Sequence, residues 1–336
     1  MRESTGRRIW SRLLACAVLA LVLVMALAPA AAADEASPAP ENDEKVVLTV
    51  GWMGDIDNLN PLIGWSNNVY EIYAQEYLLM VGRDWDTYKP DGSGIAKSWE
   101  VSDDGLIWTF TMNEGMTWHD GEPITAEDAV FTYNFIVDNQ IAAYASFVGG
   151  IDQAEVIDDL TYKVVCTTPV ANMLMLWIPC LPEHIWGEMT AKEASQTFQN
   201  PAPCIGSGPY QVVEWKKERF LRMEAYEDFH LGKPAVDEVM FVVYQNGDTM
   251  VQDLKAGTID AAYLFPPAQY EPLAATEGIE AVEFSWFNWD YVGFNCYEGK
   301  SRGNPVLRDR EFRTALEYSI DREKMVELAY SGHAWP

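Results

Sequence analysis

Apolar positions along this chain fall mostly in short alternating runs separated by turn signals, with helical spacing in fewer segments. Residues 46–52 (VVLTVGW) are β-rich and give way to Gly54, Asp55, Asp57, Asn58 and Asn60-Pro61, which predicts a strand leading into a loop. Residues 69–80 then carry helical content and several aromatics. In residues 98–112 (SWEVSDDGLIWTFTM), Trp99 and Val101 alternate before Asp104-Gly105, and Trp108, Phe110 and Met112 alternate after it; this predicts a β-hairpin. A turn follows at 118–123 (WHDGEP). Thr125 then offers an N-cap hydroxyl with Glu127 and Asp128 in the first turn. Ala126, Val130, Tyr133 and Val137 recur at helical spacing, so an amphipathic helix is expected to pack on the hairpin sheet.

Residues 154–165 place the Asp158-Asp159 turn between β-prone runs, and Gly206-Ser207-Gly208-Pro209 precedes a strand at 210–215. A further strand is expected at 238–244. Residues 248–257 form a short helix with Val251 and Leu254 inward and Gly257 in the C-terminal capping position. A strand at 291–295 leads to a helix at 309–320, and Asp321 caps the next helix. Hairpins and scattered helices without regular β-α-β spacing point to a mixed α/β or α+β chain and away from a Rossmann domain. No G-x-G-x-x-G or P-loop is present.

Charge narrows the classes. The chain has 336 residues with 23 Lys+Arg against 51 Asp+Glu, a net charge of −28. A nucleic-acid binder neutralises phosphates with a basic face, and such acidity also repels anionic lipid, so no nucleic-acid partner is expected. The length exceeds what one compact core usually reaches, so two or more folding units are expected. Arg2, Arg7, Arg8 and Arg12 precede an uncharged run from Leu13 to Ala33, with Ala31-Ala32-Ala33 before Asp34, which predicts a secretory signal at 1–33; a retained anchor is the alternative. Setting those residues aside leaves 19 basic against 50 acidic side chains, net −31. Residues 34–45 read as a solvated acidic linker, and export places the rest in the periplasm or on the outer face of the cytoplasmic membrane. Outside the cytoplasm the four remaining cysteines can pair. Cys180 and Cys204, both flanked by proline, are the favoured pair, with buried free thiols as the alternative.

Catalytic constellations are not found. The four histidines show no i, i+4 spacing, there is no G-x-S-x-G elbow, and no cofactor or metal set is evident. The Asp103-Asp104 and Asp158-Asp159 pairs sit where turns favour Asp for local hydrogen bonding. Asp55, Asp57 and Asn58 alternate like calcium ligands but lack the glycine and distal glutamate of such a loop. What remains is aromatic density in loops: Trp65 and Tyr70 follow Asn60-Pro61 among too many polar residues for a core, and Tyr263 and Phe265 precede Pro266-Pro267. Flat apolar faces with polar tips suit a wet cleft, although packing under a loop explains any one of them equally well.

Residues 98–135 (SWEVSDDGLIWTFTMNEGMTWHDGEPITAEDAVFTYNF) resemble the signature of the bacterial extracellular solute-binding proteins of family 5, the peptide- and nickel-binding receptors of ABC importers. Four further stretches fit that family in order: DNLNP at 57–61, GSGPY at 206–210, LKAGTID at 254–260, and YVGFN at 291–295 with RDREFRTALEYSIDREKMV at 308–326. The resemblance implies a periplasmic-binding-protein-like fold (type II, cluster C), a two-lobed, non-enzymatic receptor that closes on its solute and docks on a membrane permease. It implies lobe I at 46–89 and 204–298, a small inserted domain at 90–203, and the start of lobe II at 299–336, with most of lobe II absent and the chain truncated. It further implies that Trp65, Ser66, Asn67 and Tyr70 line the cleft as aromatic walls and hydrogen-bonding partners, with Tyr263, Phe265, Asn295 and Cys296 second. An oligopeptide is the expected solute and a monomer the expected state. The alternatives are a nickel chelate or an oligosaccharide as solute, or a secreted glycan-active enzyme.

Overall fold

The computed structural model describes residues 45–84, 86–284 and 290–336, so the signal-like segment and nearly all of the acidic linker lie outside the described residues. The described chain forms two compact units, the first ending at Leu264 and the second running from Phe265 to Pro336.

The first unit holds two sheets. Strand β1 (Val47–Met53) pairs in parallel with β10 (Glu238–Tyr244) on one side and with β11 (Ala261–Tyr263) on the other. Beyond β10, antiparallel β9 (Phe220–Ala225) and β8 (Tyr210–Lys216) complete the order β11-β1-β10-β9-β8. Parallel neighbours need a crossover, and helix Gly247–Lys255 supplies the one between β10 and β11. It packs so closely on β1 that a Cβ at Gly51 would stand 2.5 Å from Ile259 Cδ1 and 2.8 Å from Met250 Cγ. The helix begins one residue earlier than expected, with Asn246 Oδ1 accepting from Asp248 N and Thr249 N, and Gly257 (φ +69°) follows its end.

The second sheet is wholly antiparallel, in the order β4-β5-β7-β6. It comprises β4 (Ala96–Val101), β5 (Ile107–Met112), β6 (Ile151–Asp158) and β7 (Thr161–Cys166). The two short strands Gly82–Arg83 (β2) and Pro90–Asp91 (β3) pair apart from it. Both Asp-Asp pairs lie at turns: Asp104 Oδ1 accepts from Ser102 Oγ (2.6 Å) and Leu106 N (3.1 Å), and Asp158 Oδ1 from Leu160 N (3.0 Å).

Helix Ala126–Asn139 lies against β6 and β7 with a complete capping box, Thr125 Oγ1 accepting from Glu127 N and Asp128 Oδ2 from Thr125 N. Its buried stripe is rotated from the expected one. Ala126, Ala129, Tyr133 and Ile136 are buried, while Val130 and Val137 only rim the core. Alanine at 129 lets the helix sit close to the sheet, which turns the larger valines outward.

Each sheet has its own core. The antiparallel sheet packs Phe110, Met112, Trp118, Tyr133, Tyr162 and Trp186 together, and the five-stranded sheet packs Trp52, Ile72, Tyr77, Tyr210, Met223 and Phe241. Cys180 belongs to the first core and Cys204 to the second, and both carry free buried thiols, so the favoured Cys180–Cys204 bridge does not form. Cys204 Sγ instead donates to Asn200 O at 3.3 Å.

In the second unit, helices Arg310–Tyr318 and Arg322–Tyr330 start at the expected caps, Asp309 and Asp321, and bury no residue. Residues 291–295 do not form the expected strand: Tyr291 is 79% exposed, and no strand among the described residues pairs with the segment. No described helix is long and apolar enough to cross a membrane.

Candidate functional site

The loop after β1 is held by its own polar side chains. Asp55 Oδ1 accepts from Trp215 Nε1 (3.1 Å) and Asp55 Oδ2 from Glu218 N (2.5 Å). Asn58 Oδ1 accepts from Asn60 N at 2.9 Å, and Asn58 Nδ2 donates to Gln199 Oε1. Asn60 is fully buried: its amide donates to Ala194 O and Phe198 O, both at 2.7 Å, and its Oδ1 accepts from Leu62 N. The Tyr73 hydroxyl reaches the Asn58 and Asn60 carbonyls, and Tyr144 Oη donates to Pro61 O at 2.9 Å. The polar atoms that resembled calcium ligands are thus engaged with protein donors, and no cluster of metal-binding type occurs among the described residues.

Asp57 turns this loop into a helix start. Its carboxylate accepts from Trp65 N (2.8 Å), Ser66 N (3.2 Å) and Ser66 Oγ (2.6 Å). Burial opposes its ionisation, but these bonds outweigh burial and hold the carboxyl below its usual range. Ser66 in turn caps helix Asn67–Glu76, accepting from Val69 N. Val69, Ile72 and Tyr73 face the core, which leaves Trp65 78% and Tyr70 43% exposed. Tyr70 stands edge-on to Tyr73 with ring centroids 6.1 Å apart. The predicted quartet Trp65, Ser66, Asn67 and Tyr70 therefore occupies one rigidly held turn, with two aromatics outward.

Of the second predicted group, only Tyr263 lies in the same unit. It ends β11 in register with Trp52 of β1 and hydrogen-bonds Glu71 on the helix. Burial pushes the Glu71 carboxyl up to about 7 against the opposing pull of the Tyr263 hydroxyl. Phe265, Asn295 and Cys296 belong to the second unit. There Phe265 is half-buried, Asn295 Oδ1 accepts from Tyr297 N (3.2 Å), and exposed Cys296 donates to Leu307 O (3.1 Å).

Tyr70, alone of the quartet, lines a pocket with a cavity volume of about 90 Å³, together with Tyr144, Trp177, Phe229, Leu231, Gln75 and Arg83. A water needs about 10–15 Å³ on this scale, so the space admits a side-chain-sized group. Glu71, Arg83, Tyr144 and Trp177 were not anticipated. The available signal was Arg83, a lone cation closing the apolar run 77–83 in a chain poor in basic residues.

The far end of the same helix is built differently. Ser207 N and Gly208 N both donate to Glu76 O at 2.9 Å, and Leu78 N donates to Ser207 Oγ. Gly206 N donates to His119 Nδ1, which leaves the proton on Nε2 to be donated to Gly208 O at 2.9 Å. Glu76, wholly buried, accepts from Val212 N at 2.5 Å, and burial raises its carboxyl above the usual range. Gly206-Ser207-Gly208-Pro209 is a structural clasp between the two sheets, in keeping with its reading as a turn.

Comparison with known proteins fits this geometry. The oligopeptide-binding protein AppA of Bacillus subtilis is 25% identical over 292 residues, 85% of this chain and 52% of its own. Its structure in complex with a nonapeptide superposes with a TM-score of 0.75 at 24% identity, covering 86% of this chain and 56% of that one. NikZ of Campylobacter jejuni in complex with Ni(L-His) superposes with a TM-score of 0.70 at 25% identity, covering 87% and 57%. The chain spans about half the length of the curated relatives it matches. Its fold is that of type II periplasmic binding proteins. The sequence profile of the bacterial extracellular solute-binding proteins, family 5, matches residues 92–336, and the chain belongs to that family.

Proposed function

We propose that this chain is part of an exported, non-enzymatic receptor that binds an oligopeptide and delivers it to an ABC-type import permease. The observation that carries this reading is the rigid presentation of Trp65 and Tyr70, with Tyr70 in the wall of a preformed, aromatic-walled pocket. Their backbone is fixed by Asp57, Asn58 and Asn60, so little ordering cost opposes ligand contact. The relatives named as oligopeptide-binding and dipeptide-binding proteins support peptide over other solutes. The acidic pairs at turns have no arrangement suited to glycoside cleavage, which favours a receptor over a glycan-active enzyme.

Thermal shift and calorimetry against short peptides, Ni(L-His) and cello-oligosaccharides test the proposal. Peptides should raise the melting temperature and remain intact. Stabilisation by the nickel chelate or the sugar alone, or turnover of any of them, would overturn it.

A further inference from the structure

The pocket beside Tyr70 has an electrostatic peculiarity. Arg83 is only 3% exposed, yet it has no ion pair among the described residues. One guanidinium nitrogen donates to Met175 O at 2.7 Å, and the group lies 4.6 Å from the Trp177 ring centroid, but its Nε–H is buried without a hydrogen-bond partner. Gln75, 4% exposed, likewise keeps Oε1 unpaired in the same pocket. A buried unpartnered donor on a cation and a buried unpartnered acceptor beside it are costly unless a bound group satisfies both. No Asp or Glu lines this pocket, although the chain carries 51 of them.

Resting on the receptor reading above, we infer that this pocket selects peptides by a carboxylate: Arg83 receives the carboxylate, Gln75 Oε1 accepts an N–H of the same residue, and Tyr70, Tyr144 and Trp177 enclose its carbon skeleton. A neutral apolar residue would fill the walls but leave the Arg83 charge unanswered. A cationic residue would face Arg83 directly. Long-range repulsion from so acidic a chain slows the approach of an anionic peptide, so selectivity arises at short range, where a charge-assisted bond in a dry pocket outweighs a screened distant field.

The carboxylate has two sources, an acidic side chain or the peptide's C-terminus, and four probes separate them: Ala-Ala-Glu, Ala-Ala-Gln and the C-terminal amide of each. Calorimetry with the full chain should show that removing one of the two carboxylates weakens binding about tenfold or more, while removing the other changes it by less than about twofold. Arg83→Gln should erase that preference, and Arg83→Lys should restore part of it. Should Arg83→Gln not fold, the four probes on the unsubstituted protein decide alone. Equal affinity for all four overturns the carboxylate assignment and leaves the peptide receptor standing. Binding of none of them, by protein that melts cooperatively, overturns both.

Discussion

The two ends of helix Asn67–Glu76 differ in what they do with polar groups. At the N-terminal end, Asp57 and Ser66 satisfy the free backbone donors locally, and the side chains just beyond them, Trp65 and Tyr70, face outward. At the C-terminal end, the last carbonyl, that of Glu76, is satisfied from about 130 residues away, by both Ser207 and Gly208, with the Glu76 and His119 side chains buried in the junction. One end leaves two aromatic side chains exposed, where we propose the ligand binds. The other joins the two sheets. Substitutions at the first should therefore cost affinity and spare stability, and those at the second should do the reverse.

The largest effect is expected at Gly208. A Cβ there would overlap the Gln75 carbonyl oxygen and stand 2.7 Å from its carbon, and both are backbone atoms that cannot rotate away. Gly208→Ala should destabilise by about 4 kcal/mol or more, measured by urea unfolding. A midpoint unchanged from wild type would mean that the helix end does not approach the 206–209 turn as described. Next comes Glu76→Ala, which leaves the Val212 N–H buried without an acceptor. A loss of about 3 kcal/mol is expected, with Glu76→Gln recovering most of it because the amide oxygen still accepts. Equal losses for both substitutions would assign the effect to packing.

At the other end, Trp65→Ala should weaken binding of the peptide that binds best by about 1–3 kcal/mol and shift the melting temperature by less than about 2 °C, since the ring is mostly in solvent. A large thermal shift with unchanged affinity would move Trp65 from the ligand face to the fold.

The contrast also explains what could be read from the chain. Strands such as Glu238–Tyr244 and the capping box at Thr125 are encoded by neighbours in sequence, so local pattern finds them. Strand Phe220–Ala225 shows the same alternation, Leu221 and Met223 inward against Arg222 and Glu224, and was open to the same reasoning. Residues 291–295 carry as strong a β pattern but have no partner strand among the described residues, and propensity alone does not make a ladder. Trp65 and Tyr70 were legible as exposed aromatics because their polar neighbours deny them a core. Arg83 meeting Tyr144 and Trp177 was not, because that pocket exists only once segments nearly 100 residues apart have packed.

The smallest effect separates the two ends by pH. Glu71 lies nearer the N-terminal end of the helix but is half-buried, and burial pushes its carboxyl up to about 7 in the fold against about 4.3 in an unfolded chain. The folded state therefore holds this proton more tightly than the unfolded state does. The favourable contribution is complete below about pH 4.3 and is lost as pH rises through about 7, after which stability no longer depends on this group. Partial exposure reduces the effect to about 1–2 kcal/mol. Glu71→Gln, which keeps an acceptor for the Tyr263 hydroxyl and cannot ionise, should match wild type near pH 4.5 and exceed it by that amount at pH 8 in urea midpoints. Parallel curves for the two proteins across that range would mean that Glu71 is solvated like any surface carboxylate, and that the helix buries charge only at its Glu76 end.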